Sequence, residues 1–194
     1  METQNALEIV SYKLGLKLGE EALKDPVLLP DIINQAIKDK ANCDQKSIGL
    51  RDYMTATKVV QTLRLEHQKQ QGYDWLTEIG QEEGVTTTAS GLRYKVIKEG
   101  SGQKCWAGAT AKVHYEGKLQ DGTVFDSSYT NGQPASFPVR AVIKGWQEGL
   151  ELMTVGSHYQ FYIPQELAYG ERGAGSDIPP YSALFFEVEL LAAF

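Results

Sequence analysis

The residues of this chain that could do chemistry lie mostly in its second half, and most of them are aromatic. Six aromatic side chains stand in segments that flank turns: Tyr115, Phe125, Phe137, Trp146, Tyr169 and Phe186. Such residues can simply form a core. Alternatively, a concave sheet leaves some of them lining an apolar pocket, the usual form of a small-ligand site. The residues alone leave both interpretations open.

No motif for covalent, metal or phosphate chemistry accompanies these aromatics. The sequence contains no GxSxG, HExxH, Walker or GxGxxG pattern. Cys43 and Cys105 lack metal-site spacing and are interpreted as free thiols of a reducing compartment. His114 and His158 are interpreted as structural or solvated residues. We therefore predict that the chain uses no cofactor and no metal.

Charge and hydropathy exclude further classes. The 194 residues carry a net charge of −6 and offer no basic face, so nucleic acid is not an expected partner. No apolar run is long enough to cross a membrane, so no membrane is expected as a partner. The first residues lack the basic and apolar pattern of a secretory signal. We predict a cytoplasmic protein; the alternative is a periplasmic one from which a signal peptide has been removed.

The second half has the pattern of a sheet. Of 19 aromatic residues, only four precede Thr88. Apolar residues alternate with more polar ones over 111–119, 159–163 and 184–190, which is typical of half-buried antiparallel strands. Residues 120–123 predict a hairpin turn, and 143–153 predict one short helix. We expect an α+β fold, with about five antiparallel strands wrapped on that helix.

The first half is rich in helix formers. We predict helices over 6–24, from 30 to about 39 and from about 48 to 83. This divides the chain into a helical dimerisation domain (1–50), a long connecting helix with a linker (51–87) and a third domain (88–194). The first helix has two apolar faces, which need two partners. We therefore expect a homodimer; the alternative is packing within one chain.

The connecting helix has a polar middle. Residues 66–72 offer no apolar side chain, and Gly72 weakens a helix relative to alanine. We expect a flexible spacer that bends at Gly72, where no tertiary contact compensates. The alternative is a stiff helix that tolerates this glycine.

Six motifs in the second half resemble one family. They are Val113–Gly117, Asp121–Ser128, Val142–Trp146, Ala168–Gly170, Ile178–Pro180 and Phe186–Leu191. In this order and spacing they resemble the FKBP-type peptidyl-prolyl cis–trans isomerases, from about Ser90 to Leu191. The first half, with Ser11–Gly15, is similar to the helical dimerisation domain of the bacterial Mip-like branch.

The resemblance implies a prolyl isomerase with a non-covalent site. It implies that Trp146 forms the floor under a proline ring, with walls from Tyr115, Phe125, Phe137, Val142, Ile143 and Phe186. It also implies that the Tyr169 phenol and the Ile178 backbone N–H donate to substrate carbonyls, with Asp126 as the charged group at the rim. Of these residues, Asp126, Tyr169, Trp146 and Phe125 are expected to be the catalytic set. The alternatives are a turn-capping role for Asp126 and a plain core role for Trp146.

The same resemblance suggests partners and a competing function. Expected ligands are proline-containing peptides, unfolded protein clients and macrolides of the FK506 or rapamycin type. Ala135, Ala141 and Asp177 depart from the family pattern. The two alanines predict weaker macrolide binding, and the negative charge of Asp177 predicts that acidic residues before proline are disfavoured. One hypothesis is a dimeric isomerase with chaperone-like client capture in protein folding. The other is a binding module whose two arms hold unfolded chains, with isomerisation incidental.

Overall fold

The structure is a computed structural model that describes the backbone from residue 50 to residue 194, and the side chains of residues 61, 62 and 65–194. The predicted N-terminal helices, the apolar faces expected to dimerise, and Cys43 lie outside the described residues. By its internal contacts the chain divides into two compact units, Met1–Gln68 and Lys69–Phe194. The second unit carries every candidate site residue.

Helix α1 spans Leu50–Ile79 and is the connecting helix predicted from the sequence. It ends four residues before the predicted Glu83. The Gly80 N–H still donates to the Leu76 carbonyl, and Gly84 then adopts a φ of +83°, which an α-helix cannot contain. No helix in the described part of the chain is both long and apolar enough to cross a membrane.

The second unit is built on one antiparallel sheet. Its strands are β1 (Val85–Thr87), β2 (Arg93–Lys98), β3 (Thr110–Leu119), β4 (Val124–Ser127), β5 (Ala135–Pro138), β6 (His158–Ile163) and β7 (Leu184–Ala193). The order is β1-β2-β6-β7-β3-β4, and β5 also pairs with β3. One short helix, α2, spans Lys144–Leu152. The α+β prediction is confirmed. The expected five strands are too few, because β1, β4 and β5 are too short to show alternation.

The hairpin between β3 and β4 forms where the sequence predicts it. The Leu119 N–H donates to the Thr123 carbonyl at 2.9 Å, and Gly122 supplies a φ of +86°. The Asp121 carboxylate accepts a hydrogen bond from the Thr123 N–H at 2.9 Å. This tight turn aligns β4 on β3, so that residues 125 and 126 come back beside 115–117.

Helix α2 lies against the sheet because two glycines face it. A Cβ atom at Gly145 would stand 2.4 Å from Ile163, and one at Gly149 would stand 2.7 Å from Phe161. Larger side chains would therefore push the helix off β6. Leu150 and Met153 complete the packing and are fully buried. Close approach of this helix fixes Trp146, one turn away from Gly149 and Leu150, against the sheet.

The end of helix α1 packs on the opposite face of the sheet. Leu76, Tyr162 and Ala183 form a second buried cluster, against which Trp75, Ile79 and Phe185 pack. Gly72 is itself buried, and a Cβ atom there would lie 3.5 Å from that of Ala183. The prediction of a bend at Gly72 without tertiary contact is therefore wrong: the aromatic and aliphatic residues just beyond the polar middle dock the helix end on the sheet.

Candidate active site

One cavity gathers nine of the ten candidate residues. It has a volume of about 300 Å³ and lies between the start of α2 and strands β3, β4, β5 and β7. Its lining consists of Tyr115, Phe125, Asp126, Phe137, Ala141, Val142, Ile143, Trp146, Tyr169 and Phe186. Ala141, which the sequence singled out only as a departure, joins the set. Ile178 is absent from the lining.

Trp146 lies at the centre of the aromatic lining. It is 4% exposed, and the edges or faces of three rings meet its indole at nearly right angles. The centroid distances are 5.3 Å to Tyr115, 5.8 Å to Phe137 and 5.2 Å to Phe186. The indole N–H is buried, and none of the described residues accepts a hydrogen bond from it. The floor of the cavity is therefore aromatic and well packed, with one unpaired N–H donor within the described part of the chain.

One wall depends on a glycine. Phe125 and Phe186 meet edge to face, with centroids 5.5 Å apart. A Cβ atom at Gly117 would stand 2.6 Å from the Phe186 ring and 2.7 Å from the Phe125 ring. In the sheet Gly117 is paired with Phe186 on one side and Asp126 on the other. Gly117 therefore makes the space in which the two rings form the wall.

Tyr115 and Asp126 form the polar part of the rim. The Tyr115 hydroxyl donates to Oδ2 of Asp126 at 2.6 Å. Burial raises the pKa of the Tyr115 phenol, and the hydrogen bond to Asp126 and the negative charge of that carboxylate raise it further. The phenol therefore stays a neutral donor. Because this hydroxyl already donates to Asp126, its role is to hold the carboxylate in place.

The backbone of Tyr115 is fixed by Ser128, which is 1% exposed. The Tyr115 N–H donates to the Ser128 hydroxyl at 2.8 Å, and the Ser128 N–H donates to the Tyr115 carbonyl at 3.0 Å. These bonds tie the segment after β4 to β3 next to the cavity. The sequence predicts no role for Ser128. Its side chain bonds to the backbone of Tyr115, and such a contact requires no particular residue type at position 115.

Tyr169 stands at the edge of the cavity with a free hydroxyl. The side chain is 40% exposed, and its hydroxyl makes no hydrogen bond with the part of the chain whose side chains are described. Burial of the phenol, followed by the charge of Asp126, raises its pKa. At neutral pH it is a protonated donor that can serve a bound ligand.

Ile178 does not fit its predicted role. It is buried, and its N–H donates to the Ala174 carbonyl at 3.1 Å, while the Ala174 N–H donates to the Ile178 carbonyl at 2.8 Å. This pair of hydrogen bonds occupies the Ile178 N–H, which the resemblance assigns as a donor to a substrate carbonyl. The backbone N–H of Ile143 is a better candidate donor. Ile143 lines the cavity at the start of α2, which no side chain caps, and no described residue accepts a hydrogen bond from its N–H.

Both histidines of this unit have structural partners. His114 Nδ1 is hydrogen-bonded to the Ser128 hydroxyl at 2.9 Å, and its ring stacks on Tyr129 with centroids 4.8 Å apart. His158 Nε2 lies 2.8 Å from a carboxylate oxygen of Glu187. Neither residue lines the cavity. Among the described residues there is no group of three or more His, Cys, Asp or Glu side chains that could hold a metal ion.

Comparison with known proteins identifies a family. Residues 102–191 match the FKBP-type peptidyl-prolyl cis-trans isomerase family, and residues 7–96 match the domain amino terminal to such isomerases. The chain belongs to the FKBP family of peptidyl-prolyl cis–trans isomerases. The predicted family is thus confirmed, and with it the isomerase activity that the family carries.

Several relatives of this FKBP match it over most of their own length. It is 44% identical over 190 residues to the FKBP-type 22 kDa peptidyl-prolyl cis-trans isomerase of Escherichia coli, covering 93% of this chain and 92% of that one. It is 37% identical over 202 residues to the peptidyl-prolyl cis-trans isomerase Mip of Coxiella burnetii, covering 94% and 85%. The crystal structure of FkpA from Escherichia coli superposes with a TM-score of 0.66 at 33% identity, covering 98% and 88%.

The cytoplasmic prediction is not confirmed. A relative from Legionella longbeachae, 33% identical over 195 residues and covering 94% of this chain and 84% of that protein, is named outer membrane protein MIP.

Proposed function

We propose that this FKBP binds the proline ring of an Xaa-Pro segment over Trp146 and speeds rotation about the preceding amide bond without covalent chemistry. The observation that supports this most is the apolar cavity itself: an aromatic floor with hydrogen-bond donors at its rim. Its volume of about 300 Å³ is that of a small-ligand site. Proline-containing peptides are the ligand class that the family binds.

The barrier to be lowered comes from amide resonance. Rotation costs about 18–20 kcal/mol because twisting destroys the partial double bond. The uncatalysed reaction takes tens to hundreds of seconds. The twisted amide is less charge-separated than the planar one, so an apolar, water-poor cavity disfavours the planar form more. Each ~1.4 kcal/mol of such differential stabilisation is worth about tenfold in rate.

Each rim group has a role in this proposal. The Tyr169 hydroxyl and the Ile143 N–H donate to carbonyl oxygens of the bound peptide and hold it across the cavity. Asp126, held by Tyr115, orients the twisting amide through its charge. Phe125, together with the other aromatic and aliphatic wall residues, excludes water from the rotating bond.

This site is tested by single substitutions in a short-peptide isomerisation assay. Trp146→Leu removes the floor, and Tyr169→Phe removes only the hydroxyl, so both are expected to lower kcat/KM by about tenfold or more. Trp106→Leu is the matched control, because Trp106 is 41% exposed and does not line the cavity. Equal activity of the two site variants and the wild type would contradict the proposal.

The same cavity is proposed to take macrolides of the FK506 or rapamycin type. Ala141 lines the rim with a small side chain, and Ala135 packs beside the core on β5. Short side chains at both positions leave less surface for a large ring to contact. We therefore expect binding that is measurable but weak, competitive with peptide.

The N-terminal helices are proposed to pair two copies and to add client capture. Support comes from the two apolar faces of the predicted first helix and from the match of residues 7–96 to the domain amino terminal to FKBP-type isomerases. Two linked cavities increase the effective affinity for an extended client. Light scattering of the full chain should give twice the monomer mass, and a monomer would contradict the pairing.

A binding module without need of catalysis is the competing function. It is separated from the enzyme by Trp146→Leu in the full chain. If that variant still suppresses aggregation of an unfolded protein while peptide turnover is lost, capture and isomerisation are independent. Loss of both together would place capture in the cavity and contradict a separate capture function.

A further inference from the structure

The chain segment that carries Tyr169 is held from its outer side by the end of helix α1. We infer that Tyr73 and Lys69 of α1 are positioning residues, which fix both flanks of Tyr169 and thereby place its hydroxyl at the cavity. This inference rests on the role proposed for Tyr169 and extends it. It gives the end of helix α1, which lies outside the cavity, a role in positioning Tyr169.

The first contact, between Tyr73 and Glu166, holds the residues before Tyr169; we call it the first tether. The Tyr73 hydroxyl donates to Oε1 of Glu166. Glu166 belongs to a short helical turn, Gln165–Leu167, and the Ala168 N–H donates to the Gln165 carbonyl at 3.1 Å. The bond from Tyr73 therefore fixes a turn that ends two residues before Tyr169.

The electrostatics of this tether favour a charged carboxylate. Burial alone would raise the pKa of Glu166. Hydrogen bonds from Tyr73, from its own backbone N–H and from Gln165, followed by the charge of Lys69, outweigh burial and lower it. Glu166 is thus ionised at neutral pH, and a charged acceptor strengthens the bond from the Tyr73 phenol.

The second tether reaches the residue after Tyr169. The Lys69 ammonium lies over two rings, 5.7 Å from the centroid of Tyr181 and 5.9 Å from that of Tyr73. The Tyr181 N–H donates to the Gly170 carbonyl at 2.8 Å. Helix α1 therefore also reaches the position directly following Tyr169, through Tyr181.

Tyr181 has a backbone conformation that needs such support. Its φ is +61°, and it is the sole non-glycine residue in the described part of the chain with a positive φ. A bulky side chain persists in this region only where surrounding contacts hold it. Here the contacts include the ammonium of Lys69 over its ring, the hydrogen bond from its N–H to Gly170, and a hydrogen bond from its hydroxyl to Glu171 at 3.4 Å.

The helix end is anchored well enough to act as a support. Leu76 is 2% exposed and packs with Tyr162 and Ala183. Gly72 lets the helix backbone approach, since a Cβ there would already be in van der Waals contact with Ala183. Tyr169, in contrast, is 40% exposed, so burial of its own ring fixes it only in part. Its position therefore depends on its neighbours in sequence, which α1 holds.

The test is a double-mutant cycle in the full chain. Tyr73→Phe removes one hydroxyl at a side chain that is 36% exposed, so the fold is retained. We expect it to lower kcat/KM on a short Xaa-Pro peptide by about 3- to 10-fold. In a Tyr169→Phe background, Tyr73→Phe should have no further effect, because it acts through the missing hydroxyl.

Tyr159→Phe is the matched control. It also removes a tyrosine hydroxyl bonded to a glutamate, Glu99 at 3.4 Å, but lies away from the cavity lining. It should leave kcat/KM unchanged. Tyr181→Asn is a second variant, because asparagine tolerates the positive φ yet offers no ring to Lys69. It should reproduce the loss seen with Tyr73→Phe.

The outcomes separate this inference from the proposed function. An unchanged kcat/KM in Tyr73→Phe overturns the inference, as does a loss that is equally large with and without the Tyr169 hydroxyl. In either case an effect of Tyr169→Phe alone still supports the proposed site. If Tyr169→Phe itself has no effect, the role of Tyr169 fails and the positioning inference fails with it.

Discussion

The Tyr115 hydroxyl donates a hydrogen bond of 2.6 Å to the carboxylate of Asp126. The two residues lie on the neighbouring strands β3 and β4, and the tight hairpin between those strands brings them together. Tyr115 is 7% exposed, whereas Asp126 lies at the exposed rim. A buried neutral phenol thus orients the Asp126 carboxylate at the rim of the cavity without cancelling its charge.

Asp126→Ala tests the function of that carboxylate. We expect the fold to be retained, with stability reduced by no more than about 1–2 kcal/mol, because no buried volume is lost. Isomerase activity should fall about tenfold. Asp177→Ala, at another exposed aspartate outside the lining, is the control. A variant that unfolds while turnover per folded molecule is unchanged would support a turn-capping role instead.

Gly117→Ala tests the construction of the aromatic wall. The added methyl group would overlap the Phe125 and Phe186 rings, so one ring must move. Such overpacking is expected to cost about 1–3 kcal/mol of unfolding free energy and to lower kcat/KM through a distorted wall. Gly108→Ala is the control, because its nearest neighbour is the Trp106 side chain at 3.4 Å. Denaturant unfolding and the peptide assay report both effects; wild-type values in Gly117→Ala would refute the account of the wall.

Alkaline pH tests the buried phenol. Burial, reinforced by Asp126, raises the pKa of Tyr115 above that of the unfolded chain, about 10. Above pH 10 the unfolded state therefore binds fewer protons than the folded one, and stability falls as pH rises. One such group contributes at most about 1.4 kcal/mol per pH unit. Urea unfolding between about pH 9 and 11.5 should show a shallower decline in Tyr115→Phe, and parallel curves would contradict this expectation.

Fragments test how much of helix α1 the catalytic unit needs. From the sequence alone, the predicted domain 88–194 is expected to fold by itself as a monomer that keeps peptide activity. That fragment lacks β1 and the helix end, and so uncovers Tyr162, Ala183 and Phe185. Loss of the Leu76 contacts alone costs about 2–5 kcal/mol.

We therefore expect fragment 69–194 to match the full chain on a short peptide. Fragment 88–194 should be less stable and less active, as thermal unfolding and kcat/KM will show. Equal stability and activity of the two fragments would mean that the helix end contributes nothing to the catalytic unit.

Much of the fold could be predicted because its signals are local. Strands β3, β6 and β7 each bury one face, so their alternation appears directly in the sequence. The turn at Asp121-Gly122 can also be predicted from the sequence, because Gly122 has the positive φ that favours glycine. The aromatic lining could be proposed because its members stand beside turns. The family resemblance added their roles, with Trp146 as the floor and the other residues as the walls.

The remaining features depend on contacts that are distant in sequence. Helix α1 shows a polar middle, and only the sheet face presented by Tyr162 and Ala183 explains why its end is buried. The backbone N–H of Ile178 was expected to be free, since no side-chain pattern reports its bridge to Ala174. The positive φ of Tyr181 is likewise invisible in the sequence, because tyrosine is an unusual residue for it.

The most direct test of the central claim is the rate of cis–trans isomerisation of a short Xaa-Pro peptide, measured with the full chain and with Trp146→Leu, each with and without a macrolide of the FK506 or rapamycin type. We predict that the wild type shortens the uncatalysed reaction of tens to hundreds of seconds in proportion to enzyme concentration, and that excess macrolide suppresses this rate. We predict that Trp146→Leu lowers this rate by about tenfold or more. A wild-type rate equal to the uncatalysed one, or one that neither the macrolide nor the loss of Trp146 changes, would contradict catalysis in this cavity.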